Sequence, residues 1–373
     1  MTTRPPALVN QPLDRIETPA LVVDLDAMAS NIARMAAEAR RLGVVLRPHA
    51  KAHKCGTIAR LQVAAGAVGV CCQKVSEAEA MAETGITDIY LSNQVVAAPK
   101  LDRLAQLART ARISLAIDSP AGLEAAARAA RDSGIGLMVL IEVDLGDARN
   151  GVPPGPALVD LAKSVVATGN LRFGGLQAYR SHAQHARTAA ERRDLTAAAV
   201  HTIARVRDDL GATGITCPVV TGGGTGTISY AAASGVYTEL QPGSYVFMDA
   251  AYAAIEDESG GPFRSFDTAL FVEATVTSAS EGRAMCDAGA KAVSPAGRLP
   301  LVVAPADLSY YAADDEHGRL RWHPGSAGVR VGDRIRLLPD NCDPTVNLHD
   351  WIVGVRNGRV ETVWPIEARG PGL

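Results

Sequence analysis

The sequence predicts an α/β chain, a (β/α)8 TIM barrel followed by a mainly β C-terminal domain. Three observations lead there. Through the first two thirds of the 373 residues, short apolar runs alternate with Ala- and Arg-rich segments of helical period. Those runs lack strict apolar/polar alternation, as expected of parallel strands buried on both faces. Beyond about Ser265 the helical period gives way to short strands set between Gly, Pro and Asn-Gly turns.

The elements follow in order. A polar, proline-containing arm (1–25) is expected to pack with the β domain. In the first helix Asp26 can cap, and Met28, Ile32, Met35 and Ala39 share one face before Gly43 ends it. The expected barrel strands are Val44–Arg47, Val68–Cys72, Ile89–Ser92, Ile113–Ile117, Leu137–Val143, Gly174–Tyr179, Cys217–Thr221 and Thr238–Gln241. Crossover helices are expected at Ser76–Glu83, Lys100–Arg109, Pro120–Ser133, Pro156–Ala167 and Ala189–Leu210. Eight such repeats suit a closed barrel at 26–260 better than an open sheet. Gly260-Gly261-Pro262 marks the boundary to a β domain at 261–373. Its expected strands are Phe271–Ser278, Met285–Ala288, Leu301–Val303, Asp333–Leu338, Ile352–Arg356 and Val360–Pro365, the last two joined by an Asn357-Gly358 hairpin.

Composition narrows the function. With 37 Lys+Arg against 40 Asp+Glu, the net charge is -3, which argues against a nucleic-acid partner. No run of 18 apolar residues and no signal-like N-terminus is present, so no membrane partner is expected and the location expected is cytoplasmic. The six cysteines form no CxxC pair and read as reduced thiols.

A barrel carries its chemistry just past the C-terminal ends of its strands. Those positions hold His49, Lys51, His53 and Lys54 after the first strand, then Gln73, Asn93, Asp118, Glu142, Arg149, Gln177, Tyr179, His182, His185 and Gln241. The seventh strand ends in Gly222-Gly223-Gly224-Thr225-Gly226. Such a bend lets backbone N–H groups converge on an anion, and the loops after strands 7 and 8 are where barrels hold phosphate. A plain tight turn is the other reading. The bend does not match GxxxxGK[ST], and a single phosphate suits it better than a nucleotide. The HAKAHK segment reads either as a solvated basic loop or as a lysine whose amine is kept reactive by neighbouring cations. Together with a monophosphate cradle, the second reading points to pyridoxal phosphate.

The strings RPHAKAHK (47–54), GVCCQKVSEAE (69–79), DARNGV (147–152), GLQAY (175–179), TGGGTG (221–226), ELQPGSYVFMDA (239–250) and CDPTVNLHDW (342–351) carry a resemblance over nearly the whole chain. It resembles the D-threonine aldolase and 3-hydroxy-D-aspartate aldolase group, which belongs with eukaryotic D-serine dehydratases to the alanine-racemase-like, fold-type III pyridoxal-phosphate enzymes. The resemblance implies retro-aldol cleavage of a D-β-hydroxy-α-amino acid to glycine and an aldehyde, by a homodimer acting on a small-molecule substrate. It makes Lys51, and not Lys54, the Schiff-base residue. Arg149 would face the pyridine nitrogen; Tyr179, Gly223, Gly224 and Thr225 would hold the cofactor, with Gln73 and Tyr245 nearby. His185 would take the proton of the β-hydroxyl, directly or through water.

One departure stands out. The family pattern His-Cys-Asp-Pro-Thr, whose His and Asp bind a divalent ion, here begins with Asn341 and keeps Asp343. An amide oxygen is a weaker, harder ligand, which favours Mg, Mn or Ca over Zn and lowers affinity. His349 and Asp350 read as structural. Weakened metal ligation leaves a racemase acting at Cα as the alternative; a D-serine or 3-hydroxyaspartate dehydratase is the further one, disfavoured because a leaving hydroxide needs a Lewis acid at least as much. A non-catalytic cofactor carrier is opposed by the long β domain. Arg180, His182 and Gln184 at the mouth read either as recognition for a substrate carboxylate or as solvated side chains.

Overall fold

The computed structural model describes residues 4–322, 325 and 327–372. A short strand, β1 (Ala20–Asp24), precedes the barrel. The barrel strands are β2 (Val45–Leu46), β3 (Val70–Cys72), β4 (Asp88–Gln94), β5 (Arg112–Ile117), β6 (Leu137–Glu142), β7 (Leu171–Ala178), β8 (Val219–Gly222) and β9 (Glu239–Leu240). All pair in parallel, in the order β2-β9-β8-β7-β6-β5-β4-β3. The ring closes between β2 and β3, where Val68 N–H donates to Leu46 O at 3.0 Å and Cys71 N–H to Pro48 O at 2.8 Å. This is the expected (β/α)8 arrangement, with every expected strand and crossover helix present to within a few residues.

Two of these strands, β2 and β9, are only two residues long, so side chains help hold them. Arg47 Nε lies 2.9 Å from Glu239 Oε2 on β9, and its Nη1 lies 2.8 Å from Asp88 Oδ1 on β4. The three groups are nearly buried. Breaking such a network leaves an unmatched interior charge, a loss of about 3–5 kcal/mol. The loop carrying Lys51 therefore leaves the barrel from a fixed point.

The first helix runs over Leu25–Leu42, with Met28, Ile32, Met35 and Ala39 buried and Gly43 closing it at φ +69°. Its cap is Asp24 and not Asp26. The Asp24 carboxylate accepts the N–H groups of Asp26 and Ala27, both at 3.0 Å. The helix starts two residues earlier because β1 (Ala20–Asp24) delivers the chain to it directly.

The C-terminal strands are β10 (Leu270–Ser280), β11 (Arg283–Cys286), β12 (Leu301–Ala304), β13 (Leu308–Ala313), β14 (Gly318–Trp322), β15 (Arg334–Leu338), β16 (Trp351–Arg356) and β17 (Arg359–Pro365). With β1 they form a nine-stranded sheet, β13-β14-β11-β10-β1-β16-β17, in which β15 also pairs with β10 and with β12. Strands β1, β13 and β14 are additions to the expected set. Asn357 and Gly358 both have positive φ, as the β16–β17 hairpin requires. Among the described residues no helix is long and apolar enough to cross a membrane, and all six cysteines are free.

Candidate active site

A cleft of about 710 Å³, counting its open mouth, lies at the C-terminal ends of the barrel strands. Lys51 enters it from the 3-10 turn Ala50–Ala52 that follows β2, and the His49 Nδ1 atom accepts the Lys51 N–H at 3.4 Å. Lys54, three residues on, turns away at φ +51°. Its ammonium sits 2.9 Å from Glu77 Oε1, and it donates to Ala368 O at 3.4 Å. The two lysines are thus separated, one facing the cleft and one clamping the loop against the C-terminal segment.

Across the cleft the short helix Cys342–Val346 presents Asp343, whose Oδ2 lies 3.0 Å from Lys51 Nζ. The Asp343 charge, overcoming desolvation, raises the Lys51 amine above its ordinary value. Burial pushes the Asp343 carboxyl up, but Lys51 more than compensates and it lies below its ordinary value. Asn341 also lines the cleft, with its side-chain oxygen capping the helix by accepting the Asp343 N–H at 3.0 Å.

His185 follows the short helix Ser181–Gln184 and stacks on Tyr252 with ring centroids 4.6 Å apart. Burial lowers its pKa below the ordinary 6.5, so the ring is neutral near pH 7. A neutral imidazole facing the same space as Lys51 can accept a proton. His49 is buried between Ser92 Oγ (3.1 Å) and Gln73 Nε2 (3.0 Å), and burial holds it neutral as well. The Arg149 guanidinium lies 5.7 Å from the Tyr179 ring centroid and 3.8 Å from Glu142.

The glycine bend closes the opposite end. A Cβ on Gly224 would lie 2.6 Å from Gln184 Oε1, and one on Gly226 would lie 2.2 Å from the Gln184 carbonyl oxygen. Gly223 adopts φ +65°. It shapes the bend without lining the cleft, whereas Gly224 and Thr225 do line it. Among the described residues the N–H groups of Thr225 and Gly226 have no backbone acceptor within the chain. Thr225 Oγ1 accepts the Tyr245 N–H at 3.0 Å. The Tyr245 ring itself is fully buried and its hydroxyl accepts Gln62 Nε2 at 2.9 Å, so it serves the packing behind the site and not the cleft wall.

The comparisons with known proteins agree with this geometry. The alanine racemase N-terminal domain family matches residues 23–251 and the putative serine dehydratase domain matches residues 269–355. A D-threonine aldolase of Arthrobacter sp is 46% identical over 98% of this chain and 96% of its own. A 3-hydroxy-D-aspartate aldolase of Paracoccus denitrificans (strain Pd 1222) is 42% identical over the same shares. The crystal structure of a D-threonine aldolase from Filomicrobium marinum superimposes with a TM-score of 0.94, at 43% identity, covering 98% of this chain and 99% of that one. This chain belongs to the D-threonine aldolase group of the alanine-racemase-like family.

Pyridoxal phosphate is the cofactor expected of the alanine-racemase-like family, and the residues fit it. An amine and a glycine bend line the same cleft, and the bend's N–H groups at Thr225 and Gly226, which have no backbone acceptor among the described residues, can take an anionic tail. Without the cofactor, Asp343 Oδ2 pairs with the Lys51 ammonium and the Asn341 oxygen accepts an N–H, and among the described residues no three His, Cys, Asp or Glu side chains gather as a ligand set, so the donor set for a resident divalent ion is sparse. Mg and Mn prefer six oxygen ligands, and two engaged oxygens supply few of them. His349 donates its Nε2–H to Ala292 O at 2.7 Å and packs away from the cleft.

Gly243 and Ser244, just past the eighth strand as the sequence reading placed them, line the cleft, and so do Ser92, Asp249 and Tyr252, which the strand-end positions did not mark. Burial raises Asp249 to about 7, and its carboxylate accepts the N–H groups of Tyr252 (3.0 Å) and Cys342 (3.1 Å). It ties the His185-stacking tyrosine to the helix of Asp343.

Proposed function

We propose that the chain is a pyridoxal-phosphate-dependent aldehyde-lyase that cleaves a D-β-hydroxy-α-amino acid to glycine and an aldehyde. The observation that carries this reading is the placement of Lys51, His185 and the Gly224-Thr225 bend on one cleft. Lys51 would hold the cofactor covalently, with Gly224, Thr225, Tyr179, Gln73 and Arg149 around it and Gly223 shaping the bend. Bound there, pyridoxal phosphate supplies the electron sink that accepts the Cα electron pair. His185 takes the β-hydroxyl proton, directly or through one water, as the oxygen becomes the aldehyde carbonyl and the Cα–Cβ bond breaks. A proton taken up at Cα then completes glycine. Arg149, a permanent cation in the cleft wall, would oppose protonation of a cofactor nitrogen placed near it. The divalent-ion assistance expected from Asp343 and Asn341 enters no step here, because two oxygens are a sparse donor set for such an ion.

The same reading makes the protein a cytoplasmic homodimer acting on a free amino acid. It divides the chain into a cofactor-binding unit at 26–260 and a β domain at 261–373 joined by the 1–25 arm; the pairing of β1 with β10 and β16 supports that division of the arm. Purified protein given the cofactor is expected to release acetaldehyde and glycine from D-threonine. Lys51→Ala should abolish both this and the visible band of bound cofactor, while Lys54→Ala keeps the band. Exchange of the Cα proton, or release of a 2-oxo acid and ammonia, without aldehyde would replace lyase cleavage with racemisation or dehydration.

A further inference from the structure

Lys54, the second lysine of the HAKAHK segment, has no part in the cleavage proposed above, yet its side chain is the more buried of the two, 10% exposed against 39% for Lys51. Its backbone stands at φ +51°, a conformation that lysine rarely adopts and keeps only where its surroundings impose it. Those surroundings are dense. The Lys54 N–H donates to Ala50 O at 2.7 Å, its carbonyl oxygen accepts the Ala368 N–H at 3.1 Å, and its ammonium meets Glu77 Oε1 at 2.9 Å.

Glu77 is buried too, and its other oxygen is also engaged. Oε2 accepts the N–H groups of Gln73 at 2.7 Å and Lys74 at 3.2 Å, the two residues that lead from β3 into the helix Val75–Glu83. One carboxylate thus ties the loop after β2 to the loop after β3, at the seam of the barrel. Among the described residues every other pair of neighbouring barrel strands shares a ladder, whereas β2 and β3 are joined by the Val68 bond to Leu46 and a lone bridge between His49 and Cys71. Backbone pairing alone holds this seam weakly. His49 and Lys51 enter the cleft from one side of it and Gln73 from the other, with Gln73 Nε2 3.0 Å from His49 Nε2 and the Lys51 N–H on His49 Nδ1. A slip of one loop past the other would part Gln73 from His49 and turn the amine. A buried ion pair gives up the hydration of two charges and adds little stability over apolar packing; fixing one register among several is its best-attested use.

We propose that Lys54 and Glu77 are positioning residues: their ion pair sets the register of the β2 and β3 strand ends and so aims Lys51 and Gln73 together at the cofactor of the lyase reading above. Lys54→Met and Glu77→Gln each leave one charge without its partner and should lower the melting point. The double variant holds neither charge and keeps an oxygen for the Gln73 N–H, so its melting point should largely recover. Its site should not. In the single and double variants alike, equilibrium dialysis is expected to show pyridoxal phosphate held severalfold more weakly. Visible circular dichroism of the cofactor-saturated protein, which follows the orientation of the bound ring, should change. With D-threonine, kcat should fall by about tenfold or more while KM moves less, since a misplacement of about 1 Å can cost about 10²-fold. Lys54→Arg, which keeps a cation for Glu77, should stay near the wild type in affinity and dichroism. A double variant that regains wild-type affinity and dichroism along with its melting point overturns the proposal, because the pair would then serve stability alone. If the double variant is insoluble, unchanged affinity and dichroism in Lys54→Met overturn it equally. A wild type that binds the cofactor and releases no aldehyde fails the lyase reading, and affinity and dichroism still judge the pair.

Discussion

Lys51 Nζ lies 3.0 Å from Asp343 Oδ2, so an ion pair in the cleft joins the barrel to the short helix of the C-terminal domain. The carboxylate raises the amine above its ordinary value of 10.5, outweighing the desolvation that would lower it. An amine attacks a carbonyl only when neutral. Cofactor uptake by the apo-protein should therefore be slow at pH 7 and speed up as pH rises. Asp343→Asn removes the main cause of the shift, lowers the amine's pKa, enlarges the neutral fraction at pH 7 and should speed uptake severalfold. Stopped-flow absorbance of the bound cofactor measures it, and a slower variant would show that Asp343 assists capture instead of restraining it.

His185 must be neutral to take a proton, and burial lowers its pKa below 6.5. The acid limb of kcat/KM for aldehyde release should accordingly fall below pH 6.5, with no loss between pH 6.5 and 7.5. Replacing it by Gln should reduce kcat by about 10²–10⁴-fold, the usual contribution of a positioned base, and leave the visible cofactor band in place. A Gln variant that keeps its rate would move the proton to another group, with Tyr252, 4.6 Å away, the nearest ring.

Much of this was legible from local pattern, and what was not has a common cause. The barrel strands announce themselves as apolar runs between helical segments, and Lys51 and the glycine bend adjoin strand ends, so their location follows from the fold. Strand β1 is an apolar run too, but its partners Leu270–Glu273 and Val353–Val355 lie hundreds of residues away, and no local period records them. In β13 and β14 only Leu308, Tyr310 and Leu320 point inward, and the polar residues between them read as a loop. Asp249 and Tyr252 sit beyond the last barrel strand, after a backbone reversal at Met248 (φ +55°), which brings them back over the mouth. Tyr245 shows the converse. It neighbours Ser244 of the cleft wall, yet on the 3-10 turn Ser244–Val246 successive side chains diverge, and its ring points into the core.

Gly226 couples the cofactor bend to the proposed base. A methyl group there would sit 2.2 Å from the carbonyl oxygen of Gln184, the residue before His185, and backbone cannot yield as a side-chain tip can. Arg192, almost fully buried, donates its Nε–H to the Gly226 oxygen at 3.1 Å and fixes the bend from the other side. Gly226→Ala should therefore weaken cofactor affinity and lower kcat together, whereas a change that only loosened the bend would affect affinity alone. Equilibrium dialysis with the cofactor and single-turnover aldehyde release separate the two, and unaltered values in both would show that the segment around Gln184 moves freely.

Asn341 stands where the family resemblance leads one to expect the histidine of His-Cys-Asp-Pro-Thr, and the geometry says what the amide does instead. Its oxygen accepts the Asp343 N–H at 3.0 Å, capping the short helix that carries Asp343. A histidine at 341 would bring an imidazole to the cleft wall beside Asp343, giving one nitrogen and one oxygen ligand of the kind Mn and Zn accept. Asp343 would then have to choose between the ion and Lys51, and a divalent charge competes well against an ammonium. The as-isolated wild type is expected to hold well under one metal per chain, and Asn341→His to raise Mn affinity by about tenfold or more, since even a supporting neighbour of a ligand is worth about 10–100-fold. Metal analysis after dialysis and Mn titration by electron paramagnetic resonance read this without reference to turnover. The histidine variant should also lose some of its cap, about 1 kcal/mol, so its melting point should drop without metal and recover with it. A wild type that retains one tightly held ion through dialysis would show that Asp343 leaves Lys51 for a metal even with an amide at 341.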